Sequence, residues 1–315
     1  MIAFVFPGQG AQHVGMGVAL AEASAVARRV FDEASAAIDL DLLALCRDGP
    51  EARLRETEYT QPAILACSWA VASVLAEAGL RPQATAGLSL GEYTALVAAG
   101  ALEFADAVRV VRQRGRFMQE AAGAGAAMAA VMGLPSDRVV EVCRGVSGFV
   151  EAVNFNAPGQ VVIAGDEPAV ADAAARLREA GARRVVPLAV SAPFHTSRMQ
   201  PAAARLAAVL AGVAVRPARI PVVANVNAQP LREPAAIRAA LVAQVASPVR
   251  WEESVRTLAA LGVRGIVEAG PGTTLAGLVR RTVPDVPVLS AGDPDGVDAV
   301  LAAFGPDRAH AEAGG

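Results

Sequence analysis

Ser89 stands between two glycines in the stretch GLSLG, 87–91. The Gly-x-Ser-x-Gly spacing is typical of a sharp strand-to-helix turn that exposes a serine hydroxyl for attack on a carbonyl carbon. The flanking residues suit that turn, because 84–89 reads as a strand and 91–101 as a helix. The backbone N–H of Leu90 would then lie at a helix N-terminus, where it favours a developing oxyanion. A plain turn in a chain rich in alanine and glycine is the alternative interpretation.

A nucleophilic serine needs a base, and the chain contains three histidines. His310 lies in a tail, 306–315, that reads as frayed, and His13 follows a glycine-rich loop. His195 lies between a strand and a helix, at a predicted domain junction where catalytic groups tend to occur. Elimination favours His195 as the base, against the alternative of an ordinary surface or capping histidine.

Arg114 is the third candidate, within a predicted helix over 103–121. The apolar residues of that helix recur at helical spacing, and Arg114 lies about 80° to the side of their stripe. Such an arginine usually covers the rim of the core with its methylene groups. It could instead reach into a cleft and bind a carboxylate with both prongs of its guanidinium. The spacing leaves both interpretations open.

Strand-like and helical patterns alternate along the chain, which predicts an α/β fold with a largely parallel sheet. The predicted strands are 2–7, 84–89, 220–226, 265–270 and 286–291, and the predicted helices are 16–38, 61–79, 91–101, 103–121, 198–212, 234–246, 251–262 and 273–283. The stretch 124–188 follows a βαββαβ order, which predicts a ferredoxin-like subdomain. We therefore expect a core domain made of 1–123 and 189–315, with the subdomain 124–188 inserted between its two parts.

Composition excludes several other classes of protein. The net charge is −3 and aromatic residues make up 4% of the chain, which argues against a nucleic-acid surface. The uncharged run 121–136 is broken by glycine and proline, so we expect no membrane span there. The N-terminus carries no basic region before its apolar stretch, which predicts a cytoplasmic protein without a signal peptide. Three cysteines and three histidines without ligand spacing predict neither a disulfide framework nor a metal site.

Several separated motifs give the chain a close resemblance to the malonyl-CoA:acyl-carrier-protein transacylases, the acyltransferases of fatty acid and polyketide synthesis. The matching stretches, in the order of the family, are FVFPGQGAQ (4–12), GLSLGEY (87–93), RQRGRFMQEA (112–121), NFNAPGQVVIAG (154–165), VSAPFHTSRM (190–199), SPVRWEESV (247–255) and EAGPGTTL (268–275). The resemblance extends through about residue 290 and implies a hydrolase-like core that carries a ferredoxin-like insert.

The resemblance assigns roles to individual residues of the catalytic centre. It implies that Ser89 is the nucleophile and that His195 is its general base. The family orients this histidine with a carbonyl rather than an aspartate, and Gln244 falls at the matching place. The backbone N–H groups of Gln9 and Leu90 would form the oxyanion hole.

The resemblance also implies how an acyl group is selected. Arg114 would bind the free carboxylate of a malonyl group. Phe194 is associated in the family with malonyl selection, because a large ring occupies the space that a 2-methyl group needs. Asn156 and Gln160 are further candidates for substrate binding. Leu88 departs from the family, in which many members carry histidine before the nucleophile.

The resemblance implies ping-pong transfer of a malonyl group from coenzyme A, through a seryl ester, to the phosphopantetheine thiol of an acyl carrier protein. No metal or redox cofactor is expected, and malonyl-CoA is a substrate. Within the family, the alternative is a trans-acting polyketide synthase acyltransferase that uses another acyl group. From other classes, a serine hydrolase or thioesterase and a catalytically silent carrier-protein-binding module are the alternatives. Arg114 separates the first of these from the transferase, because an ordinary esterase does not need it.

Overall fold

The chain is organised around two β-sheets. A computed structural model describes residues 1–123, 125–188 and 192–306. The strands are β1 (Ile2–Phe6), β2 (Ala84–Gly87), β3 (Ala126–Met132), β4 (Val150–Ala157), β5 (Gln160–Asp166), β6 (Arg184–Pro187), β7 (Val222–Val223), β8 (Pro230–Leu231), β9 (Gly265–Ala269) and β10 (Val288–Ala291). The helices are α1 (Val18–Ala23), α2 (Ala25–Ile38), α3 (Leu42–Asp48), α4 (Glu51–Leu54), α5 (Thr57–Glu77), α6 (Gly91–Ala98), α7 (Phe104–Glu120), α8 (Ser136–Arg144), α9 (Glu167–Glu179), α10 (Gln200–Ala211), α11 (Pro234–Val245), α12 (Trp251–Ala260), α13 (Thr274–Thr282) and α14 (Pro294–Phe304).

The larger sheet has the strand order β10-β9-β1-β2-β7-β8. The strands from β10 to β7 run parallel, and β8 pairs antiparallel with β7 at one edge. The central strands β1, β2 and β9 are mostly apolar and are buried on both faces, as expected for parallel strands covered by helices, and Thr85 and Glu268 are their buried polar residues. Phe6 pairs with Gly87 at the carboxyl ends of β1 and β2, so the segments that follow these strands leave the sheet side by side. This confirms the predicted α/β fold and places the GLSLG stretch at the edge where ligands bind in such sheets.

The smaller sheet has the strand order β4-β5-β3-β6 and is antiparallel throughout. With α8 after β3 and α9 after β5, this is the predicted ferredoxin-like βαββαβ arrangement. Val139, Ile163 and Leu177 are fully buried in a core that belongs to this sheet and its helices. The predicted domain boundaries at 124 and 189 fall on residues outside those described, so the exact division stays a prediction.

The smaller sheet is attached to the rest of the chain along β4. Val249 exchanges two backbone hydrogen bonds with β4, accepting from Phe155 N at 2.9 Å and donating to the Val153 carbonyl at 2.8 Å. The Glu151 carboxylate accepts from Ser197 N at 2.9 Å and from Ser197 Oγ at 2.7 Å. These contacts fix the sheet to the segment just after His195 and to the segment just after α11.

Some predicted helices differ from the structure. The single helix expected over 16–38 is two helices, because Ser24 has extended backbone angles and caps α2 by accepting a hydrogen bond from Ala27 N. The short helices α3 and α4 lie between the predicted helices 16–38 and 61–79, in a stretch for which no element is predicted. Helix α14 was also missed, although Asp293 caps it and Pro294 occupies its first position, both typical helix-start signals.

Helix α5 is long and apolar enough, by length and composition, to cross a membrane. It contains an uncharged run, 59–76, that is longer than the run 121–136 considered from the sequence. Within its most apolar window 72% of the residues are buried, and α2 and α7 pack against it. Helix α5 is therefore a central helix of the protein core.

Candidate active site

Ser89 occupies the sharp turn between β2 and α6, with a φ of 52° that places it in the left-handed region. Non-glycine residues rarely adopt this region, and they cluster at functional turns when they do. The two flanking glycines are required by close backbone approach. A Cβ on Gly87 would lie 1.9 Å from the carbonyl carbon of Gly91, and a Cβ on Gly91 would lie 2.0 Å from the Phe6 carbonyl oxygen. The structure therefore contains the sharp strand-to-helix turn that the GLSLG spacing predicts, and its glycines let the strand and the helix pack against each other.

His195 lies beside Ser89, with Nε2 at 2.8 Å from the serine Oγ. Its other ring nitrogen, Nδ1, lies 2.9 Å from the backbone carbonyl of Gln244. Because a carbonyl only accepts, Nδ1 carries the proton and Nε2 is free to accept the proton of the serine hydroxyl. Burial, with a smaller contribution from the Arg114 charge, lowers the pKa of His195 to about 4, so the imidazole is neutral at pH 7.

Arg114 points into the same site rather than along the rim of the core, and it is buried. Its Nη2 donates to Ser89 Oγ at 3.1 Å and to Gln244 Oε1 at 2.8 Å, while Nη1 donates to Gln61 Oε1 at 3.0 Å. The guanidinium carbon lies 5.5 Å from the centre of the Tyr93 ring, within range of a cation–π contact. The structure thus decides against the rim interpretation and places a buried cation next to the serine.

Three polar residues that the sequence did not single out complete this cluster, and Gln244 contributes more than its carbonyl. Asn225 accepts from Ser89 N at 2.6 Å, and Gln244 Nε2 donates to the Ser89 carbonyl at 2.9 Å. Glu92 accepts from Gln244 Nε2 at 2.7 Å and from Asn225 N at 3.1 Å. Burial raises the pKa of the Glu92 carboxyl to about 7. Gln61 and Asn225 lie far from Ser89 in the sequence, and Glu92 lies three residues after it, but its two hydrogen-bond partners are distant in the chain.

A cavity of about 240 Å³ opens in front of the serine. Its lining consists of Pro7, Gly8, Gln9, Gly10, Ala11, Gln61, Leu88, Ser89, Leu90, Arg114, Met118, Met128, Asn154, Asn156, Val162, Leu188, Phe194, His195, Thr274, Leu275 and Leu278. It therefore lies between the two sheets, because Met128, Asn154, Asn156 and Val162 come from the smaller one. Such a cleft between two layers is a common place for a ligand site.

The residues predicted for the oxyanion hole and for substrate binding differ in their position relative to the cavity. Gln9 and Leu90 line the cavity, and neither backbone N–H has an acceptor among the described residues. Phe194 lines the cavity and is largely buried. Asn156 also lines it, and within the described ranges its buried Oδ1 has no hydrogen-bond partner. Gln160 does not line the cavity, although it lies at the start of β5 in the same sheet.

The cysteines are buried and free, and burial raises the pKa of the Cys46 thiol to about 12. All three lie in the buried core of the protein. No group of three or more histidine, cysteine, aspartate or glutamate side chains that could hold a metal ion occurs within 1–123, 125–188 and 192–306.

A serine hydroxyl bonded to a neutral imidazole, with free amide donors and a buried cation beside it, can form and break an acyl ester. Fold and site together fit the class of enzymes that carry out acyl chemistry. Comparison with known proteins gives the family. A profile of the acyl transferase domain matches residues 3–303.

The similar proteins cover nearly the whole chain. The malonyl CoA-acyl carrier protein transacylase of Bacillus subtilis is 44% identical over 304 residues, which are 95% of this chain and 96% of that protein. The crystal structure of an acyl carrier protein S-malonyltransferase from Vibrio cholerae has a TM-score of 0.92 and 45% identity, and the match covers 95% of this chain and 99% of that one. A malonyl-transacylase in complex with a type II PKS acyl-carrier protein has a TM-score of 0.93 and 44% identity, with 96% and 99% covered. The chain belongs to this family of acyl transferases, and it is an acyltransferase.

Proposed function

We propose that this chain transfers a malonyl group from malonyl-CoA to the phosphopantetheine thiol of an acyl carrier protein, in a ping-pong reaction through an ester on Ser89. The names of the similar proteins support this substrate pair. The observation that carries the proposal is the position of Arg114, a buried cation 3.1 Å from the serine hydroxyl. Malonyl has a carboxylate one methylene away from its thioester carbonyl, so both ends of the group can be engaged at once.

In the first half-reaction, Ser89 Oγ attacks the thioester carbonyl carbon while its proton passes to His195 Nε2. The carbon–sulfur bond then breaks, and His195 returns the proton to the departing thiolate of coenzyme A. The N–H groups of Gln9 and Leu90 are proposed to bind the oxyanion between these events. The Gln244 carbonyl holds the imidazole in the required tautomer and stabilises the imidazolium that forms.

In the second half-reaction, the thiol of the carrier protein gives its proton to His195 and its sulfur attacks the ester carbonyl. The carbon–oxygen bond breaks, and Ser89 recovers the proton. The side chains and amides of the chain supply every step, so the proposal includes no cofactor besides the coenzyme A of the substrate. The proposal places the reaction in the cytoplasm.

Arg114 also supports transfer rather than hydrolysis. A bidentate arginine–carboxylate pair would fix the acyl group so that its ester carbonyl faces the incoming thiol. An esterase for neutral acyl groups gains nothing from a buried guanidinium, whose desolvation is costly. The proposal therefore predicts a strong preference for acyl groups that end in a carboxylate.

Intact-protein mass spectrometry after brief mixing with malonyl-, methylmalonyl- or acetyl-CoA tests the proposal. The wild type should gain a malonyl-sized adduct that is absent in Ser89→Ala. In Arg114→Ala the malonyl adduct should form at least about 100-fold more slowly, because loss of one partner of a buried pair costs about 3–5 kcal/mol. Addition of a holo acyl carrier protein should then remove the adduct from the wild type. Loading that is insensitive to Arg114, or loading by acetyl-CoA only, would rule out the malonyl assignment.

A further inference from the structure

We propose that Glu92 is a positioning residue of this active site, which acts by holding Gln244 and Asn225 in the one orientation that keeps Ser89 and Arg114 in place. The inference rests on the proposed function, because its test follows the loading of a malonyl group. The hydrogen bonds from which it is argued do not depend on the identity of the acyl group. Glu92 is the second residue of α6 and lies three positions after the serine. It touches neither the imidazole nor the cavity, and so no catalytic contact accounts for its burial.

One carboxylate oxygen of Glu92 joins two distant parts of the chain. Its Oε2 accepts from the side chain of Gln244 at 2.7 Å and from the backbone N–H of Asn225 at 3.1 Å. Gln244 belongs to α11 and Asn225 follows β7, so the two donors approach from different elements. Both are fully buried, where an unpaired donor costs about 1–3 kcal/mol.

These two residues hold the serine peptide from both sides. The Asn225 side chain accepts from Ser89 N at 2.6 Å and donates to the Gly87 carbonyl at 2.7 Å. The Gln244 side chain donates to the Ser89 carbonyl at 2.9 Å. Both the N–H and the C=O of the strained serine are thus bound by residues that Glu92 fixes, and this stabilises its left-handed backbone.

Glu92, the Ser89 carbonyl and Arg114 together fix which way the Gln244 amide faces. Its nitrogen must point to Glu92 and to the Ser89 carbonyl, which are both acceptors, and its oxygen then accepts from Arg114 Nη2 at 2.8 Å. The reversed amide would set an NH₂ group against the guanidinium and two oxygens against each other. An acceptor at the position of Glu92 Oε2 therefore excludes the reversed amide and keeps Nη2 directed toward Ser89 Oγ.

A purely local role predicts something different. A carboxylate in the first turn of a helix is stabilising at the helix N-terminus wherever its oxygens lie. Under that view the effect of Glu92 depends on its negative charge and not on the exact position of its carboxylate oxygens. Under our proposal the position of the acceptor oxygen matters and the charge does not.

Two substitutions separate position from charge. Glu92→Gln keeps the length and an acceptor oxygen but removes the charge, whereas Glu92→Asp keeps the charge and withdraws the acceptor by one methylene. We expect malonyl loading of Glu92→Gln to stay within about threefold of the wild type and that of Glu92→Asp to fall about tenfold or more, as for loss of a buried hydrogen bond. Glu141→Asp is the matched control, because Glu141 is an exposed glutamate in helix α8. Equal losses in both Glu92 variants, or an Asp variant as fast as the wild type, would overturn the proposal.

A double-mutant cycle tests the route through Gln244. Gln244→Leu removes the side-chain amide and leaves the backbone carbonyl that holds His195. Glu92→Asp should cost several-fold less in that background than in the wild type, because coupled neighbours are not additive. The same fold loss in both backgrounds would show that Glu92 does not act through Gln244.

The second measurement on every variant is the labelling rate of Ser89 by a fluorophosphonate, which needs the serine, the imidazole and the oxyanion donors but no malonyl group. If the wild type labels but never loads malonyl, the proposed function fails and the Glu92 comparison stands on the labelling rates alone. If the wild type loads malonyl while labelling and loading are the same in all Glu92 variants, the positioning role fails and the proposed function stands.

Discussion

The two buried titratable groups of the site should give the protein opposite and compensating dependences of stability on pH. The pKa of His195 is lowered from 6.5 to about 4, chiefly by burial, so proton uptake by this residue favours the unfolded chain. Its contribution is absent above pH 6.5 and destabilises increasingly as the pH falls to 4. The pKa of Glu92 is raised from 4.5 to about 7 by burial, so its ionisation favours the unfolded chain. Its penalty is absent below pH 4.5 and grows as the pH rises to 7.

Each pKa lies about 2.5 pH units from its ordinary value, and one unit corresponds to about 1.4 kcal/mol, so each contribution reaches about 3 kcal/mol. Both contributions are penalties, and between pH 7.5 and pH 4.5 the increase in one nearly cancels the decrease in the other in the wild type. Removing one group should reveal the other. Relative to the wild type, His195→Gln should gain about 3 kcal/mol of unfolding free energy on going from pH 7.5 to pH 4.5, and Glu92→Gln should lose about as much.

Urea unfolding of the wild type and both variants at the two pH values measures these changes. All other ionisable groups are common to the three proteins, so the comparison with the wild type isolates the two contributions. The double variant should again show the wild-type dependence. Differences between variants and wild type that do not change with pH would refute the reasoning, because they would mean that neither group changes its proton affinity on folding.

Three further substitutions have clear expected outcomes. Gly91→Ala would place a Cβ 2.0 Å from the Phe6 carbonyl oxygen, so it should destabilise the fold by about 1–3 kcal/mol in urea unfolding and abolish loading of Ser89, whereas Gly277→Ala, with open space around its Cβ, should do neither. Phe194→Ser should raise the rate of methylmalonyl loading relative to malonyl loading by about 10- to 200-fold in the mass-spectrometric assay; an unchanged ratio would remove Phe194 from acyl selection. Glu151→Ala removes both hydrogen bonds to Ser197, two residues after His195. It should slow fluorophosphonate labelling of Ser89 and lower the free energy of unfolding by less than about 1 kcal/mol. A labelling rate equal to that of Glu141→Ala would contradict this prediction.

The sequence predicted the parts of the site that have a local signature. The glycines around Ser89 are a spacing signal, and the strand and helix patterns on either side place the turn. His195 followed from elimination among three histidines, and the resemblance assigned the carbonyl of Gln244. These predictions rest on a spacing signal, on elimination and on the resemblance, and the structure brings all three residues together.

The residues that were missed have only long-range partners. Asn225 lies 136 positions from the serine whose amide it binds, and nothing near it in the chain predicts a polar contact. Glu92 belongs to the GLSLGEY motif, but its hydrogen-bond partner Gln244 lies in α11, 152 positions further along the chain. For the same reason the sequence could not show whether the Arg114 guanidinium lies at the rim of the core or in the site. Its acceptors, Gln61 and Gln244, are distant in the chain. The missed helices α3 and α4 are only 7 and 4 residues long, too short for a periodic pattern to be detected.

The holding of Ser89 from both sides has a consequence for the synthesis of the chain. Its backbone is bound by Asn225 and by Gln244, which follow it by 136 and 155 residues. At about 5–20 residues per second, the ribosome adds Gln244 about 8–30 s after Ser89. During that interval the chain acquires His195, Asn225 and finally Gln244, which follow the serine by 106, 136 and 155 residues. A nascent chain therefore cannot complete the site around Ser89 before α11 has been made, because Gln244 in that helix supplies the last of these contacts.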